Sequence, residues 1–273
     1  MLQFMEVNMK NVLHNIKLYF MMFIASVKSI VEYRVDFIVG TISQIFYELI
    51  ELIFVIIIFR NTNSINGWTF YEVLLLCGLL NIALGYVDLL FDEMYEVGPH
   101  YIKDGSFDLI LLRPVHPIIS IMSKSQSLTA YGYIIIGMFM SIFSLIKLNV
   151  IINIWTILFI LFITLIGGII IGAIITILCV TSFWIMDSNE IMWSAFTMYR
   201  FSEYPLSVYN NFIKFILIFI LPFAFVSFFP ASYLLGRNWG TLSFIAPIIA
   251  IIFWLVAIKL WNWGLKHYKS SGS

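Results

Sequence analysis

The chain has 273 residues, 62% of them hydrophobic and only 11% charged, with a mean hydropathy of +0.99. Soluble domains carry roughly a quarter charged residues, so the composition excludes a water-soluble fold and makes lipid the solvent for most of the chain. Fifteen basic residues balance fifteen acidic ones, which excludes a polybasic nucleic-acid binder, and the two cysteines, Cys77 and Cys179, lie in apolar runs as packing residues with no disulfide or metal framework.

In chain order, residues 10–30 are amphipathic at helical period. Val12, Leu13, Ile16, Tyr19, Phe20, Phe23, Val27 and Ile30 fall on one side, and Lys10, Asn11, His14, Lys17 and Lys28 on the other. No uninterrupted run here reaches the ~18–20 apolar residues of a span. Residues 1–33 therefore read as a cytoplasmic interfacial helix with lysines toward the headgroups, the alternative being a poor first span. No signal-peptide cleavage pattern is present.

Residues 34–268 read as one transmembrane permease-like domain, all-α and polytopic, with six transmembrane helices. Spans are expected near 36–59, 70–91, 128–147 and 154–180, with a last one near 243–263. A polar interval, 92–127, separates the second and third. Gly167, Gly168 and Gly172 occur at close-packing spacing in the fourth. The stretch 181–236 admits two readings. Either 212–235 is an ordinary span after a loop, or 185–204 is the fifth span and 205–236 is a re-entrant helical hairpin before the last one. Pro205, Pro222 and Pro230 favour the second. Lys10, Lys17, Lys28, Arg34, Lys103, Arg113, Lys124, Lys266 and Lys269 then lie on one side, against Arg60, Lys147 and Arg237 on the other. The positive-inside rule places both termini and the 92–127 loop in the cytoplasm.

The 92–127 loop carries the most information. Gly105 permits a sharp reversal, Ser106 is placed to cap a helix, and Phe107–Leu112 forms a turn or two before Arg113-Pro114 ends it. A short apolar helix bounded by hinge residues is costly unless it docks on a partner or on headgroups. The chain has no phosphate loop of its own.

The run Gly105-x-x-Asp108-x-x-Leu111-Leu112-Arg113-Pro114 resembles the signature of a six-span subgroup of the ATP-binding-cassette (ABC) type-2, or ABC-2, permeases. Phe201-Ser202-x-Tyr204-Pro205-Leu206-Ser207-x-Tyr209 and Pro222–Ala231, followed by Leu234-Leu235-Gly236, resemble the same subgroup. Asn210 stands where the resemblance implies proline. The resemblance implies the membrane-spanning subunit of an exporter in the cell membrane, itself no enzyme. It implies two separate ABC ATPase subunits as partners, with ATP and Mg bound there and no cofactor on this chain. It also implies a second permease, the same or paralogous, and no nucleic acid. Gly105, Asp108, Leu109, Leu111, Leu112, Arg113 and Pro114 would form the ATPase-coupling helix, with the leucines in a groove and Arg113 in a charge-assisted contact. Tyr204, Pro205, Pro222 and Pro230 would shape the re-entrant segment.

Glu48 and Glu51 lie at i, i+3 in the middle of the first span, and Asp88 lies near the inner end of the second. A carboxylate at mid-bilayer costs about 2.5–3.5 kcal/mol on insertion scales and usually faces protein or a wet path. These three are the candidate translocation path. The structural alternative pairs them with Arg200, Lys214 or a partner subunit. Asp92, Glu93 and Glu96 read as a solvated helix end, and Asp187 and Glu190 as a solvated turn. The histidines share no ligand spacing, so no metal is assigned. Competing functions are a non-transporting anchor or scaffold, and a proton-coupled secondary carrier using Glu48 and Glu51. A lipid-modifying enzyme ranks last for want of a convergent catalytic set.

Overall fold

The structure, a computed structural model, describes residues 18–19, 21–24, 34–125, 127–185, 188–268 and 270. The interfacial helix read over 10–30 lies mostly outside them. Its described residues are helical, and Met22 meets the Ser123 hydroxyl at 3.8 Å. All regular structure among the described residues is helical.

Among the described residues, five helices are long and apolar enough to cross a membrane, or six if one bent pair counts as a single span. They are α1 (Arg34–Asn61), α2 (Phe70–Leu90), α5 (Thr129–Lys147), α6 (Ile154–Cys179, extended by a 3-10 turn to Phe183) and α10 (Ala246–Leu265, preceded by a 3-10 turn from Gly240). The short elements are α3 (Phe107–Leu111), α4 (Pro117–Met122), α7 (Asn189–Tyr199), α8 (Asn211–Phe215) and α9 (Phe228–Leu234).

The most enclosed of the spans, α2, packs against α5 and α6. Glycines permit the approach. A Cβ on Gly137 of α5 would come within 2.8 Å of the Gly78 carbonyl oxygen and of the Ile82 nitrogen, both backbone atoms of α2. On α6, a Cβ at Gly168 would meet the Ala83 carbonyl at 3.0 Å, and the Phe91 ring lies over Gly172. The glycine spacing in the fourth span is thus the seam with α2. By contrast α1 is largely exposed, presenting Ile38, Phe46, Ile50, Phe54 and Ile57 outward.

The bundle has two ends. One carries the 92–127 loop. The other carries the turns at 61–69 and 148–153, where Asn66 and Asn149 adopt positive φ of 49° and 55°. The stretch 188–207 connects them. Ser188 bonds Ser182 at 2.6 Å at the loop end, Arg200 reaches Tyr47 in mid-bundle at 3.0 Å, and the Ser207 carbonyl accepts from Asn66 at 2.9 Å at the turn end. Its α-helical part has eleven residues, about 16 Å of rise, so a 3-10 turn (Arg200–Glu203) and extended Tyr204 and Pro205 complete the path.

The bent pair, by contrast, begins and ends at one end. Asn210 caps α8 by accepting from the Ile213 amide at 2.9 Å, a role proline has no side chain to fill. A π-helical run, Ile216–Ile220, breaks at Leu221-Pro222 with a bend of 75°. The chain then passes Gly167, deep in the bundle, and climbs through α9 to Gly236, whose φ is +63°. Pro230 sits in the first turn of α9, where its missing amide costs nothing. Arg237 closes the loop at the turn end, with its guanidinium 2.6 Å from Glu72, 2.8 Å from the Gly67 carbonyl and 4.3 Å from the Trp68 ring centre. Glu72 also accepts from the Thr69 amide at 2.8 Å, so one carboxylate caps α2 and holds the returning chain.

Replacing Gly137 by Val should destabilise the bundle by about 1–3 kcal/mol through overpacking. A lowered midpoint of thermal unfolding in detergent is the expected result. An unchanged midpoint would mean that α2 and α5 do not approach this closely.

Candidate functional site

Two sites stand out, the loop helix at one end of the bundle and a polar network in its middle. Gly105 has φ +73°, a left-handed conformation that makes the reversal into α3 possible. Ser106 precedes the helix with helical dihedrals and makes no side-chain cap bond, so the expected serine cap is absent. Phe107 and Ile110 are fully buried. The Phe107 ring packs 5.6 Å from Phe183 and 4.9 Å from Tyr268, joining α3 to the ends of α6 and α10. The opposite face is bare: Leu109 is 65% exposed and Leu112 78%. Leu111 is half-buried against the core and does not share that face. Arg113 is exposed and donates to the Ser120 hydroxyl at 3.0 Å, with exposed Pro114 beside it.

Asp108 is turned toward the chain's own C-terminal segment. It accepts from the Tyr268 hydroxyl at 3.1 Å and from Ser270 at 2.5 Å. Burial and the bond to Asp108 push the Tyr268 phenol up to about 12. A second tie joins His116 to Asn262 of α10 at 3.1 Å. Burial lowers the His116 pKa, which favours the neutral ring in that bond.

The remainder of 92–127 is far more structured than a polar interval. It holds a 3-10 turn (Asp92–Met94), a π-helical run (Val97–Ile102) and α4, which Pro117 starts. Glu93 is not part of a solvated helix end. Its carboxylate accepts from the Tyr101 hydroxyl, and its amide donates to Ser125 at 3.0 Å. Lys124 donates to the same phenol at 2.9 Å. Burial, then the charge of Arg113, lowers the Lys124 ammonium pKa. Burial, then Glu93 and Glu96, pushes the Asp92 carboxyl up to about 6.

The second site is a polar network in mid-bundle. Glu48 is buried on α1 and accepts from Asn81 of α2 at 2.8 Å and from Gln44 at 3.0 Å. One helical turn on, Glu51 forms an ion pair with Arg200. Arg200 also lies 3.3 Å from Glu203 and donates to Tyr47. Glu48, Glu51, Asn81 and Glu203 line a cavity of about 20 Å³, closed down by Leu52, Val55, Cys77 and Met140. That is room for roughly one water. Two carboxylates, Glu51 and Glu203, thus share one guanidinium, while the third, Glu48, is held by two side-chain amides.

Residues 45–272 match a family described as ABC-2 family transporter protein. The chain belongs to that family. The match covers α2, the loop helix, the 188–207 segment, the bent pair and α10. No curated protein and no solved structure matches the chain. The protein is therefore a multi-pass ABC-2 transporter membrane component, of a kind that is typically a non-catalytic permease and works in general with an ATPase.

Within this ABC-2 protein the structure brings Glu48 and Glu51 to one cavity but leaves Asp88 apart. Asp88 lies near the loop end of α2, accepting from Thr129 at 2.5 Å. Lys214, an alternative counter-ion in the sequence, sits on α8, while Arg200 takes Glu51. Tyr204 and Pro205 form the extended link after Arg200–Glu203, and Pro222 marks the 75° break. Of the two acids read as a solvated turn, Glu190 is exposed and Asp187 lies outside the described residues. Sequence reasoning missed Asn81 and Glu203. A lone amide inside the apolar run Leu79-Leu80-Asn81-Ile82-Ala83 was the available signal for the first.

Arg200→Ala leaves Glu51 and Glu203 facing each other and should lower stability by about 3 kcal/mol. Adding Glu51→Gln should recover part of the loss, giving a coupling of about 1–3 kcal/mol in a double-mutant cycle of thermal or denaturant unfolding. Strict additivity would show that the pair contributes nothing.

Proposed function

We propose that this chain is the permease subunit of an ABC exporter, coupling ATP hydrolysis on separate ATPase subunits to outward movement of substrate. The observation that carries this reading is the two-faced helix α3. Phe107 and Ile110 fasten it to the ends of α6 and α10, while Leu109 and Leu112 face outward with none of the described residues covering them. Two leucines exposed side by side next to an arginine are unfavourable in water and suit a groove on a partner. In this reading ATP closes the ATPase dimer, α3 moves with it, and the spans fastened to α3 rock between inward- and outward-facing arrangements.

The same reading puts the loop end in the cytoplasm, in keeping with the nine-to-three distribution of basic residues. It makes 188–207 the fifth span and the bent pair a hairpin entering from outside, because the one traverses the bundle and the other returns to its starting end. The subunit would assemble with a second permease, the same or a paralogue, and ATP and Mg would bind on the ATPases. Residues 105–114 keep their coupling role with one refinement: Leu109, Leu112 and Arg113 form the docking face, whereas Leu111 and Asp108 anchor it. The mid-bundle network would line the path in a closed state, since its cavity is too small for any solute beyond water.

Replacing both Leu109 and Leu112 by Asp should abolish transport and co-purification of the ATPase while leaving membrane insertion and melting temperature unchanged. Retention of a normally coupled ATPase would overturn the docking role. Replacing Phe107 by Ala should behave differently, costing about 3–5 kcal/mol of stability by emptying a buried site, visible as a lowered melting temperature. Glu48→Gln with Glu51→Gln should change substrate preference in export assays, and unchanged export would leave those residues a structural role only.

A further inference from the structure

A second, larger cavity of about 380 Å³ opens at the loop end, between residues 92–100 and the first turns of α7. Its size falls within the roughly 300–1,000 Å³ of small-molecule sites. Asp92 and Glu96 supply carboxylates, Tyr95 and Trp193 supply aromatic faces, and Met192 supplies an apolar surface. His100 lies at the rim, held 3.2 Å from Glu96 and 3.6 Å from Asp104. No lysine or arginine is among the described residues that line it. Trp193 is 62% exposed and stands at the opening of the cavity beside the two acids.

This lining discriminates by charge. Two carboxylates repel a phosphate or carboxylate ligand and attract a cation. Aromatic faces hold a cation through the ring quadrupole and hold apolar substituents by burial. A strongly hydrated inorganic cation would gain nothing from Trp193 and Met192, whereas an organic cation uses every wall. The position also matters. Asp92 is within electrostatic reach of Asp88, and Asp88 of Glu48, so acids continue from this cavity along α2 to the mid-bundle network. The Tyr199 phenol lies within reach of Tyr95, Asp88 and Arg200 along the same route.

We propose that the cavity between residues 92–100 and α7 is the loading site for a cationic amphipathic substrate, an organic ammonium or phosphonium bearing aromatic or aliphatic groups, which enters from the loop-end membrane interface. The assignment rests on the transport reading and specifies its substrate class.

The test is equilibrium binding of tetraphenylphosphonium to the purified full chain in lipid nanodiscs, corrected for partitioning into empty nanodiscs. Tetraphenylborate, of the same shape and opposite charge, is the comparator. Saturable binding of the cation alone is expected. D92N/E96Q should weaken it at least about tenfold, as removal of two charges beside a cation requires. W193A should weaken it roughly three- to tenfold through the lost cation–π contact, with an unchanged melting temperature checking that the variant is folded. Equal binding of the two ions, or undiminished cation binding by both variants, would overturn the proposal. ATPase retention by the Leu109/Leu112 variant does not enter this titration, so failure of the docking reading and failure of the loading site are separately visible.

Discussion

Close backbone contact along α2 is the constraint on which the rest of the molecule depends. Gly78 and Gly137 bring α2 against α5, and Gly168 and Gly172 bring it against α6. Lipid gives helices little hydrophobic reason to associate, so dispersion contacts and short polar bonds must hold them, and both need small residues at the seam. Each polar layer of the bundle accordingly has a member on α2. Glu72 takes Arg237 at the turn end, Asn81 takes Glu48 in the middle, and Asp88 takes Thr129 toward the loop end. A helix held a few ångströms further out would strand all three.

The irregular backbone of the bent pair shows the same economy. Its break at Leu221-Pro222 interrupts helical hydrogen bonding deep in the bundle, where water is scarce. The neighbouring segment supplies the missing bonds. Ser202 donates to the Phe223 carbonyl at 3.2 Å, and Ser227 donates back to the Ser202 carbonyl at 2.5 Å. Two non-helical stretches satisfy one another, so they are found side by side. Arg200 and Glu203 stand on the same short 3-10 turn as Ser202. The turn that repairs the hairpin therefore also positions the guanidinium for Glu51.

Much of this was legible in the residues. Long apolar runs delimit α1, α2, α5, α6 and α10 to within a few residues, because lipid demands the same length of each. Gly105 and Arg113-Pro114 bracket α3 for steric reasons that need no tertiary information. What resisted reading was set by partners distant in sequence. Segment 188–207 is legible only as one of two alternatives, because its α-helical part is short and its charges are satisfied by Glu51 and Tyr47 on α1, which lie far off in sequence. Leu109, Leu111 and Leu112 look alike in sequence, and only the placement of Phe107 under α10 decides that two point out and one does not. The loop at 92–127 looked solvated because its acids were counted without Tyr101 and Ser125, which bond Glu93.

Where the helices are fastened also bears on how a push on α3 would travel. Phe107 is wedged between Phe183 and Tyr268, Asp108 holds Tyr268, and His116 holds Asn262. These contacts tie the loop helix to the ends of α6 and α10, and none of them reaches α1. The outlying helix α1 has little buried surface of its own; it packs on α5, where Gly132 admits Gln44 and Thr41 donates to the Leu128 carbonyl at 3.2 Å, and its polar ties to α2 and to 188–207 are Glu48–Asn81, Glu51–Arg200 and Tyr47–Arg200. Apolar packing against lipid slides at little cost, whereas an ion pair in a low dielectric holds or breaks. A displacement that starts at α3 and passes through α6 into 188–207 would meet α1 at Arg200, whereas one that passes through α2 and α5 would meet it along the Gly132 contact. The mid-bundle charges are thus placed where 188–207 meets α1, and a relative movement of those two would have to be either transmitted or released there.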